Sequence, residues 1–94
     1  MKIKHWQGYG TVNAKKISAK EENGIKTLMI EVTGNHEYGL VRDDIYDVYN
    51  WLVKRFDKTV PDYRHIRSLN IVESTVIKDG VSVERAVYTI QINT

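Results

Sequence analysis

The chain has 94 residues, of which 41% are hydrophobic and 28% charged. This composition is typical of one globular domain and excludes an intrinsically disordered chain. Fourteen basic residues against twelve acidic ones give a net charge of +2, a smaller surplus than a dedicated nucleic-acid-binding protein usually carries. The absence of cysteine excludes disulfides, thiolate nucleophiles and cysteine zinc sites. The N-terminus lacks the apolar core of a signal peptide and no apolar run is long enough to span a membrane, so we expect a cytoplasmic protein without membrane contact.

The first predicted element is a hairpin over residues 2–34 that turns at Asn23-Gly24. Both residue types tolerate the positive φ that a two-residue hairpin turn requires. Such a turn sets Lys16 opposite Glu31 and brings the apolar side chains of the two strands to one face. The first strand is expected to begin near Lys2 and to continue through Gly8-Tyr9-Gly10 as a bulge or bend.

A loop over residues 35–42 is predicted to lead into one helix, residues 43–58. Asp43 or Asp44 is the expected N-cap, since a carboxylate there accepts backbone N–H bonds and suits the positive end of the helix dipole. At 100° per residue the apolar residues form one arc that we expect to face the sheet: Ile45, Val48, Tyr49, Leu52, Val53 and Phe56.

The second hairpin is predicted over residues 66–92, with its turn at Lys78-Asp79-Gly80. A three-residue turn sets Glu73 opposite Arg85, whereas a two-residue turn sets Ser74 there; we expect the three-residue form because it pairs opposite charges. In chain order these elements predict a single α+β domain over residues 1–94. Its expected form is a two-layer ββαββ fold, an antiparallel sheet of two hairpins covered by one amphipathic helix.

The connection from Val32 to Asp44 contains the only adjacent histidine and carboxylate of the chain, His36 and Glu37. Adjacent side chains of an extended segment point to opposite sides, and the second histidine of an H-E-x-x-H zinc motif is missing. A metal-assisted hydrolase built on these two residues and Asp43 is therefore the weakest of three hypotheses. We predict no catalytic residue, metal site or cofactor, although His5, His36 and His65 would be free to converge on folding.

Trp51 lies away from the predicted apolar arc, one turn from Asp47 and from Arg55. It is either covered by a terminal segment or exposed as an anchor for a partner, since aromatic residues and arginine dominate interface energetics. The exposed interpretation predicts a protein-binding surface that consists of Trp51, Arg55, Asp47 and Tyr46 and acts together with a sheet edge.

Basic and aromatic residues alternate near the N-terminus and recur after Pro61. Aromatic side chains flanked by cations are typical of surfaces that bind single-stranded nucleic acid. The alternative prediction is therefore a nucleic-acid-binding face made of Lys2, Lys4, Trp6, Tyr9, Lys15, Lys16, Arg64 and Arg67.

The segments H-W-Q-G-Y-G, V-T-G-N-H-E-Y-G-L-V-R-D-D and Y-N-W-L-V-K-R-F, and the chain over its full length, resemble small accessory proteins of phages and mobile elements of low-GC Gram-positive bacteria. The resemblance implies a cytosolic protein that acts by binding and supplies no catalytic residues. The leading hypothesis is accordingly a non-enzymatic interaction module that binds a protein partner or itself.

Overall fold

The computed structural model describes residues 1–94 and has the predicted α+β architecture: one five-stranded antiparallel sheet with a short helix on one face. The strand order is β1-β2-β3-β5-β4. The strands are β1 (Lys2–Lys4), β2 (Thr11–Glu22), β3 (Ile25–Gly34), β4 (Ile66–Lys78) and β5 (Val81–Asn93). No helix is long and apolar enough to cross a lipid bilayer.

The N-terminal segment differs from the predicted single strand, so the layout is not ββαββ. The chain reverses between Lys4 and Thr11, and β1 pairs antiparallel with the start of β2. Gly8 and Gly10 have φ of +82° and +74°, a conformation that glycine adopts without steric cost. A loop over residues 5–10 therefore replaces the expected bulge.

Both hairpins close with two-residue turns in which the two central residues have positive φ. The values are +53° and +76° at Asn23-Gly24, and +52° and +76° at Asp79-Gly80. The three-residue turn predicted for the second hairpin is wrong: Ser74, not Glu73, lies opposite Arg85. The two-residue form is favoured because its backbone twist matches that of the strands, which outweighs one exposed charge pair.

The register of the first hairpin changes partway along β2. Ala19 lies opposite Leu28 as the turn predicts, but a bulge at Ile17 sets Lys16 opposite Ile30 instead of Glu31. The bulge leaves the Ile17 side chain exposed. One extra residue in β2 is enough to displace every pair beyond it.

The helical segment begins at Ile45 and ends at Phe56, shorter at both ends than predicted. It comprises α1 (Ile45–Val48), a π-helical stretch (Tyr49–Val53) and α2 (Lys54–Phe56). Asp44 is the N-cap, and its carboxylate accepts the Asp47 N–H at 3.0 Å. A short 3₁₀ turn, Tyr63–His65, then leads into β4.

The core lies between the helix and one face of the sheet. From the helix it contains Val48, Leu52 and Val53, as the arc predicts, whereas Ile45 at the N-terminal end is exposed. The sheet contributes every second residue of its strands, as alternation requires: Val12, Ala14, Leu28, Ile30, Val32, Ala86, Tyr88, Ile90 and Ile92. The other face of the sheet is uncovered and carries the ion pair between Arg85 and Glu31 (2.6 Å).

Candidate functional site

Trp51 is part of the core and not of the surface. Only 8% of the residue is exposed, its Nε1 donates to the Lys4 carbonyl oxygen at 2.7 Å, and its ring meets Tyr88 edge-on at 5.9 Å between centroids. The expectation of an outward-pointing indole is wrong: Trp51 lies in the π-helical stretch Tyr49–Val53, which does not keep the 100° spacing of an α-helix, and its ring faces Tyr88 and the end of β1. The alternative, in which a terminal segment covers the tryptophan, is the observed one.

The other three residues of the predicted contact surface do not form one patch. Asp47 forms an ion pair with Arg42. Arg55 lines a concavity with Met1, and its Nε donates to the Trp51 carbonyl. Tyr46 is 56% exposed and lies near the start of β4. Of the four residues, Tyr46 is the one that lies near β4, whereas Arg55 lies toward the opposite edge of the sheet.

β4 is an open edge of the sheet. It is the last strand in the order, and its 13 residues pair only with β5. Every second N–H and C=O group of an edge strand points away from the sheet without a strand partner, which makes such a strand a template for another chain. Leu69 and Ile71 are half-buried along this edge and pack against the core.

An aromatic patch borders the beginning of β4. Tyr46 and Tyr63 meet edge-on with their centroids 5.2 Å apart, and both are exposed together with Ile45. They line a concavity that Arg64 and Ile66 complete on the strand side, with Asp43 and Asp44 at its rim. We call the exposed edge of β4 and this patch together the β4 surface.

The opposite edge of the sheet is basic. Four of the fourteen basic side chains are held in ion pairs. Of the remaining ten, eight lie on β1, on β2 or at the C-terminal end of the helix: Lys2, Lys4, Lys15, Lys16, Lys20, Lys54, Arg55 and Lys58. We call this the basic side. Most of the unpaired basic side chains are thus concentrated on one side, which also carries Glu21 and Glu22, although the net charge is only +2.

The predicted nucleic-acid-binding residues are therefore divided. Lys2, Lys4, Trp6, Tyr9, Lys15 and Lys16 belong to β1, β2 and the loop between them. Arg64 and Arg67 lie at the opposite edge, before and within β4, and Arg64 pairs with Asp62 at 2.7 Å. The structure brings together the first six residues and separates them from the two arginines.

Two of the three histidines meet, which the sequence did not indicate because they are 31 positions apart. The rings of His5 and His36 are stacked with centroids 3.6 Å apart. His65 lies toward the other end of the sheet, beside Lys26 and Ile92. His5 is 2% exposed, and burial lowers its pKa below the usual 6.5, so the neutral form of this ring is favoured in the stacked contact.

The metal-hydrolase hypothesis has no ligand cluster to support it. His36 and Glu37 line a concavity with Thr75, whereas Asp43 lines a different one with Tyr46. No three histidine or carboxylate side chains lie close enough together to hold a metal ion.

The Val32 to Asp44 connection is fixed to the core by Tyr88, a contact that sequence reasoning missed. The buried Tyr88 hydroxyl donates to the Leu40 carbonyl and accepts the Arg42 N–H at 2.9 Å. Burial raises the pKa of this phenol well above its usual value of 10, so the hydroxyl keeps its proton. The loop is therefore a structural connection that positions the helix N-cap.

No protein-family model, curated protein or solved structure matches the chain.

Proposed function

We propose that this protein is a small non-enzymatic interaction module, of the kind that phages and mobile elements encode as accessory proteins. It binds an extended polypeptide segment by strand addition to β4. The observation that carries the proposal is the length of the open β4 edge, 13 residues paired on one side only. In this mode the backbone hydrogen bonds of the edge supply affinity, and neighbouring side chains supply specificity.

The two edges of the sheet differ in their protection against strand addition. Natural proteins block edges with short strands, lysines and bulges. The β2 edge has all three: the three-residue β1, the bulge at Ile17, and the exposed Lys16 and Lys20. β4 has a register irregularity only at its start, between Ile66 and Ser68. This contrast favours β4 as the edge that binds.

The aromatic patch gives the β4 surface a side-chain anchor. Tyr46 and Tyr63 are exposed tyrosines next to a free strand edge, and tyrosine is enriched among the residues that dominate binding energy. Leu69 and Ile71 are only half-buried, so an added strand would complete their burial.

Proline substitutions test the proposal, because proline removes a backbone donor and blocks strand pairing. Adjacent N–H groups of a strand point to opposite sides, so of Val72→Pro and Glu73→Pro one removes an N–H that bonds to β5 and the other removes an N–H at the open edge. The second variant blocks strand addition but keeps the hydrogen bonds between β4 and β5. The informative variant is the one that retains the wild-type melting temperature. The matched control on the β2 edge is whichever of Ser18→Pro and Ala19→Pro also retains the wild-type melting temperature.

The probe is a displayed library of random linear peptides selected on the wild-type protein. We expect enriched peptides to bind the informative β4 variant at least about tenfold more weakly than the wild type, a loss of about 1.4 kcal/mol. Their affinity for the β2 variant should equal that for the wild type. Equal binding to both variants, or no enrichment on wild-type protein immobilised at a density at which it is monomeric, would contradict the proposal.

A second candidate function, nucleic-acid binding, is favoured by the concentration of unpaired basic residues on the basic side. Lys2 lies opposite Asn13 in the sheet, and Lys15 follows Asn13 by two residues, so alternation sets both lysines on the uncovered face. Exposed Tyr9 in the loop between β1 and β2 adds a ring on which a base can stack.

Salt-dependent binding of labelled oligonucleotides tests this second function. Affinity for single strands should fall with added salt, and each of Lys2→Glu and Lys15→Glu should lower the log–log salt slope by about 0.7. Lys78→Glu, at the tip of the far hairpin, is the matched control and should leave the slope unchanged. No binding at low salt, or equal effects of all three variants, would remove this candidate.

A further inference from the structure

We propose that the strand received by β4 is β4 of a second copy, paired antiparallel about a two-fold axis at Asn70. This inference rests on the proposed function, since it names the occupant of the same edge. In a two-fold antiparallel pair each residue meets one fixed partner position, so one register determines every contact. With Asn70 opposite Asn70, a residue that lies a given number of positions before Asn70 faces the residue the same number of positions after Asn70 in the second copy.

The charges of β4 select this register. It sets Arg67 of one copy opposite Glu73 of the other, twice per dimer, and neither side chain has an ion-pair partner within its own chain. Opposite charges that face each other across an antiparallel pair stabilise it, and like charges destabilise it. In the alternative register that pairs all 13 residues of β4, Arg67 would face Ile77 and Glu73 would face Ile71, so neither charge would have a partner.

The apolar side chains agree with the same register. On the helix side of the sheet, half-buried Leu69 meets half-buried Ile71 of the second copy, so the two cores become continuous across the axis. On the uncovered side, Ser68 meets Val72, which is 57% exposed in one copy. Exposed apolar area is removed on both faces, and this removal drives association.

Beyond the paired strands the register also concerns the apolar side chain with the highest exposed fraction. Ile77 is 77% exposed near the tip of the β4–β5 hairpin. In this register Ile77 lies beyond the start of the second copy's β4 at Ile66, toward the 3₁₀ turn that carries Tyr63 of the aromatic patch. Each copy thus directs its exposed Ile77 toward the other copy's aromatic patch. The result is a ten-stranded sheet with a basic side at each far end.

Cysteine cross-linking tests the register directly, because the chain has no native cysteine. Facing residues in antiparallel strands have Cα atoms about 4.5–5.5 Å apart, within the range of a disulfide. Asn70→Cys should therefore form a disulfide-linked dimer on mild oxidation. Ser68→Cys and Val72→Cys should each stay monomeric, since their own copies lie about 13 Å apart along the strands, but should cross-link when mixed. Ile17→Cys on the β2 edge is the control that should not cross-link.

Sedimentation velocity over a range of concentrations supplies the second measurement. Glu73→Arg should weaken wild-type self-association at least about tenfold, and the double variant Arg67→Glu/Glu73→Arg should restore it. A wild-type chain that stays monomeric at every concentration, with no Asn70→Cys cross-link, would overturn the inference and leave strand binding to be judged by the peptide selection. If the β4 proline variant abolishes the dimer but neither cysteine experiment gives a cross-link, this register is wrong and β4 remains the binding edge.

Discussion

The imidazole of His5 lies flat against that of His36, with ring centroids 3.6 Å apart and planes inclined by 6°. The His5 Nε2 donates to the Gly39 carbonyl at 2.5 Å, and its Nδ1 accepts the Gln7 N–H at 3.2 Å. The second bond requires the neutral ring, because a protonated Nδ1 cannot accept. The contact joins the loop over residues 5–10 to the connection between β3 and the helix, and it makes this end of the molecule sensitive to protonation.

Acid should weaken the fold through His5. Burial first, and the neighbouring His36 in addition, hold the pKa of His5 below its ordinary 6.5, against a raising effect of the Gly39 carbonyl. The unfolded chain then binds more protons than the folded one as pH drops below about 6.5, so this part of the stability is complete above that pH and is lost toward the folded-state pKa. The other pKa values that are lowered belong to Asp57 and Asp62, which titrate below this window.

Urea unfolding at about pH 7 and about pH 5 measures the effect. We expect the wild-type free energy of unfolding to fall between these values, and His5→Gln, less stable at neutral pH, to lose much of that dependence. His65→Gln is the control, because His65 lies outside the stacked pair and should leave the pH dependence intact. An unchanged fall in His5→Gln would exclude His5 as its source.

The two tryptophans should differ sharply in what their indole N–H contributes. Trp51 Nε1 donates to the Lys4 carbonyl, whereas Trp6 Nε1 is buried without a partner. Trp51→Phe breaks a bond and leaves a carbonyl unpaired, so we expect a loss of about 1–3 kcal/mol, together with release of β1 from the helix. Trp6→Phe removes an unpaired donor and should cost clearly less.

Chemical denaturation of both variants compares these costs, and amide exchange at Ile3 and Lys4 reports whether β1 is released. Equal losses in the two variants would indicate that ring volume, and not the hydrogen bond, sets the cost at position 51.

The spacing of apolar residues and the turn dipeptides predicted the parts of the fold that depend on residues close together in the sequence. The apolar arc located Val48, Leu52 and Val53 in the core, and Asn23-Gly24 fixed the first turn. What failed depends on contacts between distant segments. A helical wheel at 100° per residue assumes a regular α-helix, so it cannot indicate the π-helical stretch Tyr49–Val53 or the contact between Trp51 and Lys4, 47 positions away.

The same limit applies to the candidate site. Charge along the sequence does not show that β1, β2 and the helix end form one basic side, because strand order brings them together. It likewise separates Arg64 and Arg67 from the N-terminal lysines. The free edge of β4 is a property of strand order too, since the chain pairs β5 with both β3 and β4.

Tyr88 should hold the connection between β3 and the helix in place. Its hydroxyl satisfies both the Leu40 carbonyl and the Arg42 N–H, so Tyr88→Phe leaves two backbone groups without their partner at a cost of about 1–3 kcal/mol. We expect faster amide exchange at Arg42, with the sheet amides of Ile30 and Ile90 little changed. Tyr38→Phe is the control, because that exposed side chain makes no hydrogen bond. Unchanged exchange at Arg42 would contradict this role.

The two aspartates before the helix should prove unequal. Asp44 accepts the Asp47 N–H and caps the first turn, whereas Asp43 is exposed and makes no such bond. Replacing an N-cap aspartate by alanine costs about 1 kcal/mol, so Asp44→Ala should lower the free energy of unfolding by that amount. Asp43→Ala should change it by a few tenths, through the weak dipole effect alone. Urea unfolding compares the variants, and similar losses in both would mean that helix stability at this end depends on total negative charge and not on the cap.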